Sequence, residues 1–78
     1  MTPYEQGEHI ATQFYADCGE GGQAVNICNA VKQWDGTMGQ FNPPQALTQC
    51  YQKYNQLIGN AEINRGFYNK MRSICHLD

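Results

Sequence analysis

Apolar residues along this chain recur at intervals of three and four rather than two, and four segments carry the pattern. Such spacing gathers side chains on one face of a helix. Ile10, Ala11, Phe14 and Cys18 share a face in the first segment, with Tyr4 and Tyr15 on its edge. Ala24, Ile27, Cys28, Val31, Trp34 and Met38 form the second stripe, while Asn26, Asn29, Lys32 and Gln33 lie largely off it. The third runs through Leu47, Cys50, Tyr51, Tyr54, Leu57 and Ile58, and the fourth through Ile63, Phe67, Met71, Ile74 and Cys75, interrupted only by Gly66. No strand-like alternation of useful length, internal repeat or interdomain linker is present. The pattern predicts an all-α, compact four-helix bundle forming one domain over residues 1–78.

Start and stop signals set the expected boundaries near 3–18, 23–36, 43–58 and 61–76. Thr2-Pro3-Tyr4-Glu5 combines a capping hydroxyl, a first-turn proline and a glutamate placed to return a bond to the cap. Gly19-Glu20-Gly21-Gly22 ends the first helix. Asp35-Gly36-Thr37-Met38-Gly39 ends or frays the second. Asn42-Pro43-Pro44-Gln45 has the residues of a capped third start, and Gly59-Asn60 those of its stop. The expected core is Ile10, Phe14, Ile27, Val31, Trp34, Leu47, Tyr54, Leu57, Phe67, Met71 and Ile74.

A chain of 78 residues buries only about 60–65% of its unfolded surface, so such a core usually needs covalent help. Cys18, Cys28, Cys50 and Cys75 offer it. An even count in a short chain reads as two disulfides and an oxidising compartment, so a periplasmic or secreted location is expected. Intervals of nine, twenty-one and twenty-four residues lack the short knuckle of a zinc site, and no C-x-x-C pair suggests redox chemistry. No metal and no cofactor are expected. Residues 2–9 lack the apolar stretch of a signal peptide, which is expected of a chain whose leader has been removed, with Met1 an added start. Four cysteines allow three connectivities. In an up-down bundle, Cys18–Cys28 and Cys50–Cys75 join adjacent helices near a common level and are preferred. The nested pairing, Cys28–Cys50 with Cys18–Cys75, has good register for its inner bond, and the crossed pairing ranks last.

Charge then narrows the function classes. The formal net charge of −2 argues against a chain built around nucleic-acid binding. No apolar run approaches a membrane span. Nine Gln and seven Asn solvate the surface mainly with neutral amides. Residues 1–39 carry five acids against Lys32, a balance of 1 − 5 = −4, and residues 40–78 carry four bases against two acids, a balance of 4 − 2 = +2. The halves either attract each other within the fold or leave an acidic face for a basic partner, such as a hydrolase or toxin.

Catalytic chemistry finds little material. Ser73 is the only serine and lacks a nucleophile-elbow context, Glu5 and His9 make at most a surface helical pair, and the glycines at 19–22 lack the lysine and strand of a phosphate loop. No catalytic residue is assigned. Phe14, Trp34, Phe41, Tyr54 and Phe67 would line the cavity of a lipid carrier, although core packing is the more economical role. A protein-binding module remains. Its expected contact is Gly19, Glu20, Gly21, Gly22 and Gln23, closed by a Cys18–Cys28 bond and extended by Tyr15 and Asp17, with the Asp35–Phe41 loop as the other place for an interface.

The layout also resembles a known group. A first helix ending at Cys18, nine residues to a helix-opening Cys28, Pro43-Pro44 followed by Leu47, and Cys75 three residues from the end is similar to the small all-helical periplasmic immunity proteins that neutralise type VI secretion amidase effectors. The likeness covers most of the chain as a layout and almost none as sequence. Ile27-Cys28-Asn29-Ala30 departs from that family's aromatic- and glycine-containing run, and Cys50 falls inside a helix. The resemblance implies a periplasmic, often homodimeric, non-enzymatic inhibitor that plugs a cell-wall hydrolase. Phage-encoded periplasmic lysozyme inhibitors share these general traits.

Overall fold

The computed structural model describes residues 1–34, 39–55 and 59–78. Helix α1 spans Pro3–Cys18, α2 Ala24–Gln33, α3 Thr48–Asn55 and α4 Ala61–Ile74, and the described residues contain no strand. The fold is an all-α bundle. At the first start, the Thr2 hydroxyl accepts from the Glu5 amide at 3.1 Å and the Glu5 carboxylate accepts from the Thr2 amide at 3.0 Å. With no N–H at Pro3, two of the three orphan donors at the start of α1 are thereby satisfied.

The third start differs from the expected one. Asn42 makes no cap, the chain stays extended through Pro44 (φ −54°, ψ 143°), and a short 3₁₀ turn, Gln45–Leu47, leads into α3. The second proline disfavours the helical region at Pro43 and so opposes a start there; Pro44, followed by Gln45, is extended without that constraint. Asn60 was expected to close the third helix. It opens α4 instead, its side-chain oxygen accepting from the amides of Glu62 at 2.9 Å and Ile63 at 3.3 Å. The expected ends of the second and third helices, and the core position Leu57, lie outside the described residues.

Of the expected core, Ile10, Phe14, Ile27, Val31, Leu47, Phe67 and Met71 are buried, while Trp34, Tyr54 and Ile74 are half-buried against it. Ala11, Cys18, Phe41, Tyr51 and Ile63 complete the core. Phe14 sits at its centre, edge-on to Tyr51 at 5.2 Å and to Phe41 at 6.0 Å between ring centroids. The Tyr51 hydroxyl is buried and has no hydrogen-bond partner among the described residues, and desolvation pushes its ionisation well above the ordinary phenol value. An unsatisfied buried hydroxyl costs about 1–3 kcal/mol. Tyr51→Phe is therefore expected to leave stability unchanged or raise it by about 1 kcal/mol in urea denaturation. A loss above that size would mean the hydroxyl has a partner.

Helix α1 packs chiefly against α4, and the two meet at backbone distance. A Cβ built on Gly7 would overlap the Ile63 carbonyl oxygen and stand 2.7 Å from the Phe67 nitrogen. A Cβ on Gly66 would overlap the Tyr4 carbonyl oxygen. Gly66, an interruption when the stripe is read alone, is thus half of a reciprocal contact that lets the helices approach closely.

All four cysteines are disulfide-bonded, and the pairing is the crossed one. Cys18 joins Cys50 with Cα atoms 6.0 Å apart, and Cys28 joins Cys75 at 5.5 Å. The preferred sequential pairing is corrected, and two causes are visible. The late start of α3 puts Cys50 in its first turn, where it meets the C-terminal end of α1. The dominant partner of α1 is α4, not its sequence neighbour α2, so the up-down order behind the register argument does not hold.

Candidate functional site

The Gly19–Gln23 connection joins α1 to α2 in five residues. Gly21 (φ +65°) and Gly22 (φ +83°) occupy the left-handed region, where a side chain would be strained. The Gln23 amide closes the turn on the Glu20 carbonyl at 3.2 Å. Glu20, Gly21 and Gly22 are exposed, while Gly19 and Gln23 are half-buried and the Gln23 side chain accepts from Asn26 at 2.9 Å. No Cys18–Cys28 bond closes this loop. Its two flanks are tied to different elements, Cys18 to α3 through Cys50 and Cys28 to the end of α4 through Cys75. The loop is held at both ends without being a ring.

The two residues expected to extend the contact have other engagements. Tyr15 is half-buried against the core. Asp17 is exposed, and its carboxylate accepts from the Tyr54 hydroxyl at 2.9 Å and from the Lys53 ammonium at 3.3 Å. The Tyr54 bond, then Lys53, hold the Asp17 carboxyl below the ordinary aspartate range. The same contact pushes the Tyr54 phenol upward, with desolvation as the larger cause. An acid in the last turn of α1, which has no basic residue there, opposes the helix dipole, and Lys53 offsets it from α3. Asp17 therefore fastens α3 to α1 beside the Cys18–Cys50 bond. This is the only ion pair among the described residues, so there the opposite charges of the two halves attract at one point.

Neither Lys53 nor Tyr54 stands out in the sequence as a partner of Asp17. The signal lay in register: they follow Cys50 by three and four residues, and Asp17 precedes Cys18 by one, so the crossed bond sets them side by side. Asp17, Cys18 and Cys50 place three ligand-type atoms within 4.8 Å of one another. Metal coordination would need thiolates, and here the two sulfurs are bonded to each other.

Glu5 is engaged in the capping box, and its bonds from the Thr2 backbone and hydroxyl hold its carboxyl below the ordinary range. His9 and Ser73 are exposed. The rings considered as a carrier lining touch one another instead, with centroids 5.2 Å apart for Trp34–Phe41, 5.8 Å for Phe41–Phe67 and 6.1 Å for Phe14–Tyr54. Of the Asp35–Phe41 loop, residues 35–38 lie outside the described set; the Gly39 carbonyl accepts from the Trp34 indole at 3.0 Å and from the Asn64 amide at 3.3 Å.

Comparison with known proteins finds no matching family model, no similar curated protein and no similar solved structure.

Proposed function

We propose that this chain is an exported protein-binding domain that inhibits a cell-wall hydrolase or toxin, as an immunity protein does, by presenting the Gly19–Gln23 loop to a cleft of its partner. The supporting observation is the loop itself: three consecutive exposed residues, two of them left-handed glycines, between helices that separate disulfides anchor. Fixed flanks lower the ordering entropy lost on binding, and glycines let backbone amides approach a partner surface. Export is favoured by the two disulfides. Among the described residues no helix is long and apolar enough to cross a membrane. The likeness to amidase immunity proteins is one of sequence layout, and two of its marks fall differently here: Cys28 lies in the middle of α2, and no helix starts at Pro43. The lipid-carrier reading is weaker, because the rings it requires as a lining are packed on each other.

Glu20 supplies the loop's only charge. Affinity capture from a periplasmic or culture extract is expected to retain one protein partner. Against that partner, Glu20→Lys should weaken binding at least tenfold, about 1.4 kcal/mol, with little change in melting temperature. Unchanged affinity would move the interface away from this loop.

A further inference from the structure

We propose that the Asp17 carboxylate shields the Cys18–Cys50 disulfide from attack by anionic thiol reductants. Asp17 Oδ2 lies 3.8 Å from Cys50 Sγ. Cys18 is only 4% exposed and Cys50 is half-buried, so Cys50 is the sulfur a reductant reaches.

Reduction by a monothiol takes two displacements. In the first, a reductant thiolate forms a bond to Cys50 Sγ while the Cys18–Cys50 bond breaks. The electron pair leaves on Cys18 Sγ, which then takes a proton from water. In the second, another reductant thiolate attacks the reductant sulfur of the mixed disulfide, releasing the Cys50 thiolate and the oxidised reductant. Two thiols are oxidised and one disulfide is reduced. Two features oppose the first step. The leaving Cys18 thiolate forms in apolar surroundings that disfavour it, and the incoming anion meets the Asp17 charge at the sulfur it must reach.

Lys53 offsets that charge only in part. Both side chains are exposed to solvent, 65% for Lys53 and 43% for Asp17, and the hydroxyl of Tyr54 holds the carboxylate beside the sulfur. Glu20, two residues beyond Cys18, has the same sign as Asp17. The shield would prolong the life of the bond that anchors the start of the Gly19–Gln23 loop. It concerns that bond alone, and it stands or fails whether or not the loop meets a partner.

The test is the reduction rate of each disulfide in the full chain at pH 8. Glutathione serves as the anionic reductant and cysteamine as the one carrying an ammonium, with alkylated peptides locating the broken bond. Asp17→Asn keeps an acceptor for Tyr54 and removes the charge. It is expected to speed glutathione attack on Cys18–Cys50 roughly fivefold, the effect of one unit charge near 4 Å in water. Cysteamine attack should stay the same or slow, and Cys28–Cys75 should be unaffected. Lys53→Gln, which leaves the carboxylate unopposed, should slow glutathione further. An unchanged glutathione rate at Cys18–Cys50 in Asp17→Asn would overturn the proposal. So would equal acceleration of both disulfides by both reductants, because that pattern reports general loosening.

Discussion

Replacing Gly66 with alanine is expected to destabilise the protein by about 3 kcal/mol or more. Two opposing effects set the size. In an exposed helix, alanine would be favoured over glycine by about 1 kcal/mol. Here the new methyl group would occupy the space of the Tyr4 carbonyl oxygen. That carbonyl lies in the first turn of α1 and cannot turn aside without breaking the turn, so α1 and α4 must separate. Overpacking alone costs about 1–3 kcal/mol. Separation also loosens Ile10, Ile63 and Phe67, which are buried in the same core. Gly7→Ala should behave alike, since it meets the Ile63 carbonyl. Gly59→Ala is the control: nothing lies within 4 Å of its added carbon, and a change within about 0.5 kcal/mol is expected there. Urea denaturation followed by circular dichroism compares the three. If Gly66→Ala proves as mild as Gly59→Ala, the backbone contact is not as described.

Loss of a disulfide should have an effect of similar size. The bonds span 32 and 47 residues of sequence. Loop-closure entropy assigns them about 3.7 and 4.0 kcal/mol as upper guides. Bonds of the sequential pairing would close shorter loops and restrict the unfolded chain less, so the crossed arrangement is the more stabilising. A domain of this length has a total stability of about 4–12 kcal/mol. Cys28→Ser with Cys75→Ser is therefore expected to bring the chain close to its unfolding threshold at 37 °C, and full reduction should unfold it. Thermal melts with and without reductant measure this. Non-reducing peptide maps should show Cys18 linked to Cys50 and Cys28 to Cys75. A peptide joining Cys18 to Cys28 would contradict the pairing.

Much of the fold was legible because its signals are local. The Thr2–Glu5 capping box and the stripe from Ile63 to Met71 act within one or two turns, and both are observed. What went unread depends on contacts between distant segments. Phe41 lies on no helix, so periodicity does not mark it, yet it is buried beside Phe14. Asn42-Pro43-Pro44 has the residue types of a start, but the second proline opposes it. The disulfide pairing followed from a bundle order in which sequence neighbours pack, whereas the reciprocal glycine contact makes α1 and α4 the closest pair. At the candidate site, the loop residues were identifiable from composition, and Gly21 and Gly22 do adopt left-handed backbone. The engagement of Asp17 by Lys53 and Tyr54 was hidden because it joins residues 36 and 37 positions apart, beside a Cys18–Cys50 bond that the sequence did not favour.

The proposal that this chain blocks a hydrolase is tested most directly by titrating it into the captured enzyme acting on purified cell wall. Wall digestion should fall to near zero at one equivalent of the wild-type protein, and Glu20→Lys should need at least tenfold more for the same effect. Undiminished digestion at saturating wild-type protein would contradict the account.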